Sequence, residues 1–129
     1  MPVAQPSTFI AAPPPPSGFA PSGSALDFRF PDPQNPSQTA ATSVVWGFTD
    51  GPRVITVEAG SEGGGGLPWN AADTNTESVN LHGLGAASIA ARSDGFEVRV
   101  DLGGGRWVRV RGTVPLDALI TYAHRLTRA

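Results

Sequence analysis

The sequence predicts an α+β domain of two layers. It would be a curved antiparallel β-meander of about five to six strands, one C-terminal helix on its apolar face, and a disordered Pro-rich tail ahead of it. Three observations carry this expectation. Apolar residues alternate with polar ones through most of residues 42–114, the spacing of half-buried strands. Turn signals such as Asp50-Gly51 punctuate the alternation, and after Pro115 the apolar spacing becomes helical.

The tail is set by composition. Ten of the 13 prolines lie in the first 36 residues, and no ionisable side chain precedes Asp27. Residues 1–24 lack a positive n-region, and Pro6 and Pro13 to Pro16 interrupt any apolar core, so an export signal is not expected. A flexible linker of polyproline character is expected instead, because Pro, Ser, Ala and Gly bury too little area to offset ordering entropy. Docking of the four prolines in an aromatic groove is the alternative. Phe9 and Phe19 are the exceptions in this stretch, able to cover an apolar patch of the folded part or of another subunit.

Residues 25–129 are expected to form the single domain. Leu26, Phe28 and Phe30 alternate with Asp27 and Arg29, a candidate edge strand over 25–30 that Pro31 and Pro33 end. Val44, Trp46 and Phe48 form one face of the next strand, and Asp50-Gly51 turns it into a partner carrying Ile55 and Val57. A turn joining Thr49 to Pro52 would set Trp46 opposite Ile55 and Val44 opposite Val57. The glycines at 60 and 63 to 66 open a long loop to about Thr76 that contains Trp69. Strands resume at Glu77, with turns at His82 to Gly85 and at Ser93-Asp94-Gly95.

Phe96 to Leu102 and Arg106 to Val114 make the clearest pair, joined by Gly103 to Gly105. Val100 then opposes Val108 and Val98 opposes Val110 on the inner face. Asp101 opposes Trp107, Arg99 opposes Arg109 and Glu97 opposes Arg111 on the outer one. The main sheet spans 42–114 and the helix 115–128. In that helix Leu116, Leu119, Ile120, Ala123 and Leu126 form one stripe, and Pro115 stands in the first turn.

Composition excludes several classes. No apolar run approaches ~20 residues, so no membrane span is expected. The absence of Cys removes disulfides and thiolate metal sites. A net charge of −2 gives no general attraction for nucleic acid, and none is expected as a partner. All nine basic residues are Arg, a chain-wide bias rather than a local signal.

No catalytic constellation stands out. His82 and His124 are 42 positions apart without an acid at ligand spacing, and Gly63 to Gly66 lacks the Lys-Ser/Thr ending of a phosphate loop. A non-enzymatic chain without cofactor or metal is expected. The candidate partner-binding residues are Arg99, Trp107, Arg109 and Arg111 on the outer face, with Trp69 in the loop. On the same face, pairing of the arginines with Glu97 and Asp101 is the plain structural alternative. Should the sheet curl around a cavity, Trp46, Phe48, Ile55 and Phe96 are its candidate walls.

From Val79 to Leu126 the chain carries a strand leading to Gly and Ala (Val79, Leu81, Gly83, Ala86), then two strands. The second holds Trp107 and is followed by Gly112 and a helix with Ala123 near its end. This stretch resembles the sheet-and-helix domain of membrane-anchored anti-sigma-type regulators and envelope lipoproteins, itself similar to the half-barrel of lipoprotein carriers. The resemblance implies no catalytic residues and a peptide or lipid contact in the sheet's concavity. The membrane helix and lipobox Cys of that family are lacking here, so the resemblance implies an extracytoplasmic place only if the Pro-rich tail is the spacer of a chain parted from its anchor; the equal alternative is the true start of a soluble chain.

Two functions follow as expectations. One is a binding or interaction module that meets a protein or an apolar ligand through its sheet. The other is a structural subunit whose Pro-rich arm makes homo-oligomer contacts. Sedimentation separates them: an arm-joined oligomer loses its state when residues 1–36 are removed, whereas a binding module stays monomeric.

Overall fold

The computed structural model describes residues 10, 13–22, 26–31, 39–62, 76–92, 95–103 and 106–128. The strands in chain order are β1 (Ala20–Pro21), β2 (Leu26–Pro31), β3 (Thr39–Thr49), β4 (Val54–Glu62), β5 (Thr76–Leu81), β6 (Gly85–Arg92), β7 (Gly95–Gly103) and β8 (Arg106–Gly112). The helix is α1 (Leu116–Ala123). The strands form one antiparallel sheet in the order β1-β3-β4-β8-β7-β6-β5, with β2 also on β3. Pro21 opposes Phe48 and Leu26 opposes Val45, so β1 and β2 follow one another along the same edge of β3.

This exceeds the five to six strands expected and is not a plain meander. The chain leaves β4 for the far edge and returns through β5, β6 and β7, so that β8 closes against β4. The edge strand at Leu26–Pro31 is present, with a bulge at Phe30/Pro31 where proline cannot donate to the ladder.

The two hairpins show how turns set register. In β7–β8, Val100 opposes Val108, Val98 opposes Val110 and Glu97 opposes Arg111, the pairing expected from the sequence. In β3–β4 the expected pairing is displaced by two residues: Trp46 opposes Val57, Phe48 opposes Ile55 and Thr49 opposes Val54. The turn is wider than the Asp50-Gly51 dipeptide suggests. Asp50 N–H donates to Arg53 O at 3.2 Å, and the Asp50 carboxylate accepts from Arg53 N–H at 3.0 Å and from its guanidinium. Gly51 takes φ +107° inside that loop, which a side chain would strain. Because the displacement is even, each apolar residue keeps its face.

That face is the core. Val57, Val98, Val100, Val108 and Val110 are fully buried, and Leu119 and Ala123 of α1 lie over them. The helix is shorter than the expected 115–128. Pro115 is its N-cap, without a side-chain hydrogen bond, and the Asp117 carboxylate accepts from Ala118 N–H at 3.0 Å. After His124 the backbone tightens, with Arg125 and Leu126 N–H donating to Tyr122 and Ala123 O, and then extends so that Arg128 bridges Ile10. Gly83 makes this path possible: a Cβ there would stand 2.0 Å from Leu126 O.

The N-terminal region departs from the expected free tail. Ile10 is fully buried in the core, and Pro13 and Pro16 are buried. Tyr122 Oη donates to Pro14 O at 2.8 Å, and Phe19 packs on the core with the Arg53 guanidinium 5.6 Å from its ring centre. Composition accounts for low burial per residue, but an isolated isoleucine plug and backbone carbonyls offered to the helix are enough to seat a strap. Residues 1–9, Phe9 among them, and the glycine loop at 63–66 lie outside the described residues.

Ile10→Ala is expected to cost about 2–5 kcal/mol in urea unfolding, as Leu119→Ala should. A loss under about 0.5 kcal/mol at Ile10 would detach the strap from the core.

Candidate functional site

The register of the four central strands builds two polar rows on the face away from α1. One runs Thr56, Arg111, Glu97, Ala90 across β4, β8, β7 and β6, and the other Glu58, Arg109, Arg99, Ser88. Arg99 and Arg109 stand directly opposite, a repulsive pairing unless carboxylates intervene. They do. Glu58 Oε1 accepts from Arg109 Nη2 at 2.6 Å and Nε at 3.1 Å. Glu97 Oε2 accepts from Arg92 Nε at 2.8 Å and Arg99 Nη2 at 3.1 Å, and Arg109 Nε lies 3.2 Å from Glu97 Oε1. The Arg109 guanidinium also sits 5.6 Å from the Trp107 ring centre.

This face is not the open surface that strand alternation suggests. Glu97 is 0% exposed, Arg99 3% and Trp107 4%. Alternation reports which way a side chain points and is silent on whether that side is covered. Of the expected partner-binding residues, Arg99 and Trp107 are therefore buried, Arg109 is half-buried in the ion network and Arg111 alone is exposed. Trp69 lies outside the described residues. Asp101 opposes Trp107 as expected, and its carboxylate accepts from Gly103 N–H at 2.8 Å.

Of the four candidate cavity walls, two belong to the buried core and two stand at its margin. Phe48 and Ile55 are buried, the Phe48 ring meeting Tyr122 edge-on at 6.2 Å, while Trp46 and Phe96 pack partly against the cluster. Leu119 and Ile55 close together over Gly112, where an added Cβ would meet them at 3.1 and 3.2 Å. Helix side chains thus occupy the space over this part of the sheet.

An open concavity remains at the end of the sheet where β4, β8 and β7 meet. This recess of about 560 Å³ is lined by Val54, Thr56, Arg92, Phe96, Arg111, Gly112 and Thr113. Val54 is 41% exposed. Thr113 fixes the rim: its Oγ1 accepts from Val54 N–H at 3.0 Å, and its own N–H donates to Val54 O at 3.0 Å. Arg111 makes no ion pair or hydrogen bond among the described residues. The sequence singles out Arg111 and Phe96 separately but misses Val54, Thr56, Arg92 and Thr113. What unites them is the β4–β8 pairing, a long-range contact without a local signal.

A second groove of about 320 Å³ lies between strap and helix, walled by Phe19, Arg53, Tyr122 and Arg125. The fold also brings the two histidines together. Their ring centres are 4.2 Å apart, and His124 Nδ1 accepts from His82 N–H at 3.2 Å. Among the described residues no group of three or more His, Cys, Asp or Glu is placed to hold a metal ion. No described helix is long and apolar enough to cross a membrane.

Compared with known protein families, with curated proteins and with solved structures, the chain matches none.

The Glu97 network predicts acid sensitivity. Burial pushes the Glu97 carboxyl up, but the hydrogen bonds from Arg92 and Arg99 and the charges of Arg99 and Arg109 outweigh it, leaving the pKa below the ordinary 4.5. A depressed folded value means that its stabilisation is complete above the unfolded pKa and drains away as pH falls through the folded one. Urea midpoints should therefore fall as pH drops below about 4.5. A midpoint flat through that range would contradict the network.

Proposed function

We propose that this chain is a non-enzymatic binding module that meets a protein or an apolar ligand at the recess bounded by β4, β7 and β8. The observation that carries the proposal is the pairing, in one open concavity, of an exposed Val54 with a guanidinium, Arg111, that has no counter-charge among the described residues. Both features cost something in isolation. Exposed apolar area and a cation beside other cations are each relieved when a ligand covers them. The wide faces of the sheet offer less, one being occupied by α1 and the strap and the other holding buried Arg99 and Trp107. An envelope-associated setting, implied by the resemblance over Val79 to Leu126, belongs to the same proposal.

The alternative, an assembly subunit, draws on a different observation. The N-terminal region places a fully buried Ile10 in the core, a contact that the same region of a neighbouring copy could make equally well. Under that reading sedimentation detects a concentration-dependent dimer that Ile10→Asp abolishes.

The binding module is tested with ¹⁵N-labelled full-length protein and a mixed panel of small fragments. Amide shifts are expected at Val54 to Thr56, Arg92, Phe96 and Arg111 to Thr113. Shifts confined to the groove beside Tyr122, or an absence of shifts, would contradict the proposal.

A further inference from the structure

The geometry points to an apolar carboxylate as the ligand of this recess, a planar monoanion carried on an alkyl or aryl body, with Arg111 as its recognition residue. The inference rests on the recess being the contact site. Arg111 faces Glu97 across the β7–β8 ladder, yet Glu97 is fully buried and already shared by Arg92, Arg99 and Arg109. Its other cross-strand neighbour is Thr56, which carries no charge. The two polar rows and Arg92 together hold four guanidiniums and two carboxylates, a surplus of two positive charges, and Arg111 is the guanidinium that contacts neither carboxylate.

The form of that charge selects the anion. A guanidinium offers its N–H groups as a fork that matches the two oxygens of a carboxylate. Arg92 has its side-on edge engaged, its Nε and Nη2 both held by Glu97 Oε2 at 2.8 and 2.6 Å, so that its charge is already answered in part. Arg111 is then the guanidinium with both edges open at the recess, and a carboxylate, a planar monoanion, matches one such edge. Thr113 Oγ1 accepts from Val54 N–H and so keeps its own proton to donate to a ligand oxygen.

The walls select the body. Val54 and the half-buried Phe96 stand beside the charge, and about 560 Å³ lies within the range of small-molecule sites. Free phosphate would leave both apolar side chains uncovered, and a neutral apolar molecule would leave Arg111 unanswered. A small acid and the free C-terminus of a peptide ending in an apolar residue share the required chemistry.

The experiment follows amide shifts of the labelled full chain on titration with 4-phenylbutanoate, its primary amide, acetyl-Gly-Phe with a free or amidated C-terminus, and inorganic phosphate. Each probe is repeated on Arg111→Gln, an exposed position whose variant is checked for unchanged urea stability. Shifts should centre on Val54, Phe96 and Arg111 to Thr113. The acids should bind roughly tenfold or more tightly than their amides, a preference lost in Arg111→Gln, and phosphate should be weakest. A stronger response to the peptide acid assigns the source to chain ends, and a stronger response to the small acid assigns it to metabolites. Equal binding of acid and amide at the recess would overturn the carboxylate inference and leave the binding module standing, as would tightest binding by phosphate. No recess shifts with any probe would overturn both.

Discussion

A carboxylate taken out of water must be neutralised where it stands, and at Glu97 three arginines do so. Their positions follow from register alone. β7 holds Glu97 and Arg99, β8 delivers Arg109 opposite Arg99, and the end of β6 brings Arg92 alongside. Glu58 on β4 takes the other side of Arg109, so the network ties together strands distant in sequence. The arrangement is sensitive to slippage, since moving β8 by one residue would exchange its valines for its arginines on both faces.

The β7–β8 ribbon is thus buried on two sides for different reasons. On one side Val98, Val100, Val108 and Val110 meet Leu119 and Ala123 of the helix, and Ile10 and Phe19 pack into or against the same cluster. The Tyr122 hydroxyl attaches this N-terminal stretch to the helix. Burial keeps it protonated well above the ordinary tyrosine range, and it donates to Pro14 O. On the other side Glu97, Arg99 and Trp107 form a polar layer with little exposed area. The recess lies at the sheet end, where its shape and charge are consequences of how the ribbon is packed.

Much of this is legible in the sequence alone. Strict alternation in residues 96–102 and 106–110, with a glycine turn between, fixes both parity and pairing, because few other arrangements place four valines on one side. Asp50-Gly51 correctly marks a turn, but Thr49 and Arg53 side-chain bonding widens it, and dipeptide preference cannot register that. Burial of the charged face was hidden because hydropathy treats Glu and Arg as surface residues. Only their mutual neutralisation makes burial tolerable, and that depends on β4 meeting β8. The strap was hidden for the opposite reason: a Pro-rich stretch carries no periodicity, and its attachment lies in one isoleucine and the carbonyls it offers. Of the recess, Arg111 and Phe96 could be named from local pattern, whereas their meeting with Val54 and Thr113 required the closed sheet order.

The most direct measurement is the unfolding free energy of Glu97→Gln at pH 7, with a far-UV spectrum to establish that the variant folds. If three arginines depend on this carboxylate, its neutral isostere leaves a buried guanidinium at Arg99 uncompensated, and a loss of about 3–5 kcal/mol is expected. A loss within about 0.5 kcal/mol, the range of ordinary surface positions, would contradict the buried network and the charge surplus at Arg111 derived from it.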